Sequence, residues 1–273
     1  MTTKAVITSG GQATRMRPFS NSVPKGLMPL FATADGKPVL IPIVDMIING
    51  LAEAGAADFC VVLGNGGRGD ILKDHLLRSE RKIAFVKQEV PRGFGDAVLQ
   101  AEKFVGTSPT FIHADDVFST DGYNLMSGLY KEKDADGVLL LRRVANPSKY
   151  GIVTVEEDGK FEGHKIMIIK NAEEKPREPK SDIAISAAYL LSHKIFEGIR
   201  NSKPSARGEL ELTAGIQYMV EHGAKIFGIF IDDHNWLNVG EPDRYLAALA
   251  ASGKAHLPVE VIAKVLKELS EKR

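Results

Sequence analysis

The residues with the most chemical promise stand near the start of the chain, in Ser9-Gly10-Gly11-Gln12-Ala13-Thr14-Arg15-Met16-Arg17-Pro18, followed by Pro24-Lys25-Gly26-Leu27-Met28-Pro29-Leu30. Two glycines directly after a β-branched run let backbone N–H groups approach a ligand, and the carboxyl end of a parallel strand is where ligands gather. Arg15, Arg17 and Lys25 would suit an anion there. The plain alternative, a glycine turn with solvated cations, does not account for three basic residues in one short stretch. Other phosphate-binding loops fit poorly: GxxxxGK[ST] is absent, and GGQATR lacks the third glycine of GxGxxG and does not open directly into a helix. Farther along, Asp115 and Asp116 follow the apolar run Phe111-Ile112-His113-Ala114. Carboxylate oxygens at a sheet edge suit Mg²⁺, which takes one or two carboxylates plus phosphate oxygens. Gln88, which can both donate and accept, precedes the turn Pro91-Arg92-Gly93.

These groups must be held by strands and helices, and the hydrophobic rhythm supplies them. Strands are expected at 4–8, 59–63, 83–87, 110–113 and 137–142, with helical patterns at 39–54, 70–78, 95–104 and 123–133. That alternation is the pattern of βαβ units around a largely parallel sheet. After about residue 145 the rhythm changes. YGIVTVEEDGKFEG alternates around an Asp-Gly turn like a β-hairpin, KIMIIK and IAISAAYLL read as strands joined by the charged loop NAEEKPREPKS, and GELELTAGIQYMVEHGA reads as a helix ending at Gly223. KIFGIFI reads as a strand and EPDRYLAALAASG as a helix closed by Gly253. The last helix carries Val261, Val265, Leu266 and Leu269 on one face, for which a second subunit is a candidate cover.

Composition removes whole classes of function. Thirty-five Lys and Arg balance thirty-five Asp and Glu, so no basic surface for nucleic acid is expected. No apolar stretch nears the ~20 residues of a membrane span, and MTTKAVITSGG has no signal-peptide pattern, so no membrane role and a cytoplasmic location are expected. The single cysteine, Cys60, allows no intrachain disulfide and reads as a buried small hydrophobe.

Taken in order, these stretches resemble the sugar-nucleotide pyrophosphorylases, or sugar-1-phosphate nucleotidyltransferases. GGQATRMRP and PKGLMPL are similar to that family's GGxGTRxxPxT and PKxLxP elements, with Ala13 where the family has glycine. Gln88 to Ala97 resembles QxxPxGxxxA, and Asp115 to Phe118 resembles GDxxF. Trp236-Leu237-Asn238-Val239-Gly240-Glu241-Pro242 resembles WxDxG, with Asn238 for the commoner aspartate. Tyr150-Gly151, Glu174-Lys175-Pro176, Ala187-Ala188-Tyr189 and Arg207 to Thr213 resemble the elements around the acceptor sugar, with Ala187 for a glycine and Ala214 for an aspartate. The likeness extends over about residues 4–250.

The resemblance implies an α/β fold: a Rossmann-like three-layer α/β/α sandwich with a mixed, mainly parallel central sheet and an antiparallel sugar-binding extension. It implies one domain over 1–253, with a nucleotide-binding part over about 1–145 and a sugar-binding part over 146–253, then a C-terminal helix over 254–273. Gly10, Gly11, Gln88 and Gly93 would hold the nucleotide. Arg15, Lys25 and Asp115 would be catalytic, Asp115 and Asn238 would bind Mg²⁺, and Gly151, Glu174, Lys175 and Glu209 would hold the sugar phosphate. The short forms that it most resembles join UTP or dTTP to glucose 1-phosphate and release pyrophosphate. A nucleotide-sugar sensor that kept the pocket is the alternative suggested by Ala13, Ala187, Ala214 and Asn238. A glycosyltransferase would need a DxD-type motif, and the one near match, Asp134-Ala135-Asp136, falls in a predicted turn.

Overall fold

Along β1 (Thr3–Ser9), Ala5 and Ile7 point to one side and Val6 to the other, and all three are fully buried. A strand apolar on both faces must sit in the middle of a sheet covered on both sides. In the computed structural model, which describes residues 2–11, 13–115, 117–119, 121–231 and 236–271, β1 lies between β4 (Ala56–Gly64) and β6 (Thr110–Ala114), parallel to both. Outside β4 runs β5 (Ile83–Gln88), also parallel. On the other side of β6 come, in order, β11 (Ile183–Leu191), β8 (Gly137–Arg143), β12 (Ile226–Phe230), β10 (His164–Glu174) and β9 (Gly151–Phe161). The sheet is mixed and mainly parallel: only β10 and β11 run against the others.

Helices cover both faces. The face with Ala5, Ile7, Val61 and Leu140 packs α1 (Ile43–Glu53), α2 (Gly67–Leu76) and α5 (Gly122–Glu132). The face with Val6, Val62, Leu139 and Leu141 packs α3 (Phe94–Gln100), α4 (Glu102–Val105), α6 (Lys194–Asn201) and α7 (Leu212–Glu221). Cys60 is buried in this second core, which pushes its thiol pKa up to about 12. Two small ribbons complete the fold: β2 (Pro29–Ala34) with β3 (Lys37–Pro42), and β7 (Val117–Ser119) with β13 (Trp236–Asn238). The chain ends in α8 (Pro242–His256) and α9 (Val259–Glu271), where Val261 and Val265 lie exposed. Among the described residues no helix is long and apolar enough to cross a membrane.

Several local expectations differ from the structure, and the helix expected over 95–104 breaks at Ala101 into α3 and α4. The helix expected over 39–54 starts only at Ile43, because Asp35 and Gly36 both take left-handed backbone (φ 50° and 70°) and turn 37–42 back onto β2. The hairpin of β9 and β10 turns at Glu162-Gly163, not at Asp158-Gly159; Gly159 (φ 92°) sits in a bulge where Lys160 pairs with Lys165 but Glu157 pairs with Met167. Gly253 does not close α8, which continues to His256 with Gly253 buried against the Phe31 ring; the helix stops one residue before the extended Leu257, which precedes Pro258. Helix α6 is not among the expected elements, although Ile195, Phe196 and Ile199 make its buried face.

Candidate active site

The carboxyl ends of β1, β4, β5 and β6 converge on one edge, and their glycines let them touch. A Cβ on Gly64 would lie 2.9 Å from the Gly10 backbone, and one on Gly10 would lie 2.9 Å from Gln88 Oε1. Asp115 follows β6 directly and is almost fully buried. The Ser9 hydroxyl donates to its Oδ2, and Lys25 Nζ lies 3.6 Å from its Oδ1. Lys25 is itself mostly buried, so the pair works in low dielectric, where a charge is felt strongly.

Gln88, at the end of β5, is oriented by its neighbours. Its amide nitrogen donates to Gly93 O (3.1 Å) and to Asp96 Oδ2 (2.7 Å), two acceptors that fix which end of the amide is nitrogen. Its oxygen is left on the side of Gly10. Gly93 adopts φ 111°, and its missing side chain makes room for protein: a Cβ there would lie 2.4 Å from Leu210 O. Leu210 bonds both sides of this turn, its N–H donating to Arg92 O (2.7 Å) and its carbonyl accepting from Gly95 N–H (2.8 Å).

The opposite wall comes from the antiparallel half. The bent β9/β10 hairpin pairs Glu174 with Gly151 and brings Ile152 back against Ala184 of β11. The absent side chain of Gly151 lets this strand approach closely, since a Cβ would lie 2.7 Å from Thr213 Oγ1 and 3.0 Å from Glu174 Oε2. Glu174 accepts from Thr213 (2.8 Å) and pairs with Lys175 (2.9 Å). Arg207 bridges Glu209 (3.0 Å) and the buried Glu211 (2.6 Å). Burial, and then the Glu174 carboxylate, push the Glu211 carboxyl above the usual range despite Arg207. The Tyr189 hydroxyl is raised by burial and by both carboxylates. Ala13, Lys175 and Ala187 hold left-handed backbone (φ 47°, 45° and 53°), at roughly 1–2 kcal/mol each for a residue with a Cβ. Such strain clusters at functional sites.

Eleven of the residues singled out in the sequence line one cleft of about 590 Å³: Gly10, Gly11, Arg15, Lys25, Gln88, Gly93, Asp115, Gly151, Glu174, Lys175 and Glu209. Asn238 is the exception. It lines a neighbouring space of about 910 Å³ that shares Arg15, Lys149, Tyr150 and Lys175 with the cleft, and its Oδ1 accepts from Gly240 N–H at 2.7 Å. Arg15 is ion-paired with Glu241 on the same side. Among the described residues no cluster of three or more His, Cys, Asp or Glu could cage a metal. A Mg²⁺ that keeps waters and phosphate oxygens needs only one or two protein oxygens, and Asp115 can offer one in the cleft, whereas the Asn238 amide oxygen is already engaged by Gly240. Asp116, Asp232 and Asp233 lie outside the described residues.

His113 is buried, with Nδ1 on Ala114 O (2.6 Å) and Nε2 on the Tyr123 hydroxyl (2.8 Å), a packing role. Asp134 and Asp136 precede the amino end of β8, away from the cleft, where Asp136 pairs with Lys194 (2.7 Å). Asp96, Tyr189, Glu211 and Thr213 stand inside stretches that the sequence singles out, yet no local pattern gives them a role; Asp96 carried one further signal, a carboxylate on the inner face of a helix otherwise buried through Ala97 and Val98.

The profile of the nucleotidyl transferase family matches residues 4–254. A glucose-1-phosphate thymidylyltransferase of Streptomyces antibioticus is 32% identical over 87% of this chain and 62% of its own length. A protein of Methanocaldococcus jannaschii provisionally named a UTP–glucose-1-phosphate uridylyltransferase is 31% identical over 94% of this chain and 95% of its own. This chain spans 51–64% of the length of three relatives, that thymidylyltransferase among them. The structure of a UDP-glucose pyrophosphorylase complexed with UDP-glucose overlays with a TM-score of 0.76 at 23% identity, over 93% of this chain and 100% of that one, a likeness of fold. Sequence profile, relatives and the α/β/α sheet agree: the chain belongs to the nucleotidyl transferase family, among the sugar-1-phosphate nucleotidyltransferases.

Proposed function

We propose that the protein transfers a nucleotidyl group from UTP or dTTP to glucose 1-phosphate, giving the nucleoside-diphosphate sugar and pyrophosphate. The observation that carries this reading is the single cleft with the Gly10-Gly11 loop, Lys25 and Asp115 at one end and Gly151, Glu174 and Lys175 at the other. A phosphate oxygen of the sugar phosphate forms a bond to the α-phosphorus, and the α–β bridge breaks in line to release pyrophosphate. The attacking group is already an anion, so no general base is needed, and positioning with charge compensation does the work. Arg15 and Lys25 offset charge on the phosphates, Lys175 holds the sugar phosphate, and Glu174 and Glu209 accept from sugar hydroxyls. Asp115 would hold Mg²⁺, which when bound neutralises phosphate oxygens.

Base choice follows from Gln88. With both amide hydrogens engaged by Gly93 and Asp96, its oxygen alone faces the cleft. That oxygen can accept from the ring N3–H of uracil or thymine, whereas cytosine carries no hydrogen on N3 and could offer only its exocyclic amino group. The names of the Streptomyces and Methanocaldococcus relatives support the same pair of nucleotides.

The test is pyrophosphate release with Mg²⁺ and glucose 1-phosphate against UTP, dTTP, CTP, ATP and GTP. Release confined to UTP or dTTP is expected. Release with CTP in preference to both would overturn the Gln88 argument. Nucleotide binding without release, for any nucleotide and sugar phosphate tried, would assign the sensor role suggested by Asn238.

A further inference from the structure

Arg142, near the end of β8, points to the same face as Val138 and Leu140, and only 6% of its surface is exposed. A guanidinium stays charged in any environment a protein offers, and a buried charge without a counter-charge is costly. Yet among the described residues the Arg142 side chain has no hydrogen bond and no ion pair, and its Nε is sealed from solvent. Its contacts are aromatic: its Cζ lies 3.9 Å from the Trp236 ring centre and 4.9 Å from that of Tyr150. Stacking engages the faces of the guanidinium and leaves the N–H groups at its edge.

Two further buried polar atoms without a partner among the described residues, Ser186 Oγ and Trp236 Nε1, belong to residues that line the same small cavity of about 110 Å³. Ser186 is there because β11 bulges: Ile185 pairs with Leu141 but Tyr189 with Leu139, with Ala187 left-handed between them. Among the described residues Arg15, Arg244 and Glu241 complete its charged lining, and Arg15 already takes that one carboxylate. Water would satisfy the hydroxyl and the indole but would not neutralise Arg142.

We propose that Arg142, Ser186 and Trp236 form a second oxyanion site, sized for one phosphate or carboxylate group and reached from the cleft through Tyr150, Ile185 and Ala187, which line both spaces. Placing it behind the sugar end rests on the reading of Glu174 and Lys175 given above; the anion site itself does not. Its ligand is either an acidic substituent carried by the sugar phosphate or free phosphate.

The test uses thermal unfolding of the whole protein with inorganic phosphate added at constant ionic strength, so it does not depend on turnover. The cleft cations are common to all variants, and differences between variants report this site. Phosphate is expected to raise the wild-type midpoint. Its apparent affinity should fall about tenfold or more in Arg142→Met and about fivefold in Ser186→Ala, which removes one donor and no charge. In phosphate-free buffer Arg142→Met should melt no lower than wild type. An identical phosphate dependence in wild type and Arg142→Met overturns the proposal; should that variant not fold, an identical dependence in Ser186→Ala does so. Calorimetry with glucuronic acid 1-phosphate and glucose 1-phosphate then separates the sources. A preference for the acidic sugar that Arg142→Met loses assigns the sugar, and equal binding of both sugars assigns free phosphate.

Discussion

Replacing Gly93 by alanine and, separately, Gly11 by alanine should separate the architecture of the cleft from its contact with ligand. At Gly93 the backbone is at φ 111°, ψ 172°, a region kept almost entirely to glycine, costing roughly 1–3 kcal/mol for a residue with a Cβ. The new Cβ would lie 2.4 Å from Leu210 O and 2.9 Å from Leu210 N, backbone atoms that cannot swing aside. Relief requires the turn at 92–95 to part from 209–211, breaking the Leu210 to Arg92 and Gly95 to Leu210 bonds at about 1 kcal/mol each. Together these give about 3–5 kcal/mol of lost stability, with Glu209 and Glu211 displaced from the sugar end. At Gly11 no atom lies within 4 Å of the position a Cβ would take and φ is not positive, so stability should change by under about 1 kcal/mol. Loss at Gly11 should appear only in the KM for nucleotide. Urea unfolding of both variants, followed by pyrophosphate release across a nucleotide titration, checks the pair. A Gly93→Ala protein within about 1 kcal/mol of wild type would refute the reasoning, because the clash is set by backbone alone.

Three further outcomes are expected. Asp115→Asn should lower pyrophosphate release by on the order of 10²–10³-fold while the protein still folds, since Ser9 retains an acceptor at Oδ1; near-normal rates at limiting Mg²⁺ would remove Asp115 from the chemistry. Ala187→Gly relieves left-handed strain of roughly 1–2 kcal/mol against a glycine entropy cost of roughly 0.5–1 kcal/mol, so it should leave stability unchanged or slightly raised, and a clear loss in urea titration would contradict the φ of 53°. Glu211, whose carboxyl is raised by burial and by Glu174, binds its proton more tightly folded than unfolded, so its contribution falls as pH rises from the unfolded value of 4.5 through the raised one. The stability of Glu211→Gln relative to wild type should therefore improve as pH rises above about 4.5, and parallel urea-derived stability curves for the two would contradict this.

Gly10, Gly11, Arg15, Lys25, Gln88 and Asp115 were legible because each stands in a short local pattern at a strand end or turn, whereas Glu174 lies in a charge run that only the family resemblance singles out. The alternation of short β-branched runs with longer amphipathic ones likewise made the βαβ order readable, and the family resemblance implied the sandwich. What the local patterns did not contain was distance. Gly93 looks like a glycine that admits a ligand, and only the fold shows that Leu210, more than a hundred residues away, fills its space. Asp96 and Gly93 decide which end of Gln88 faces the cleft, and Glu174 with burial decides the protonation of Glu211. Arg142 reads in sequence as the charged end of a strand; its burial between Trp236 and Tyr150 depends on where three distant segments cross. Residue types and turns are written locally and can be read, whereas close approach, desolvation and charge pairing depend on segments far apart in the chain and exist only once it has folded.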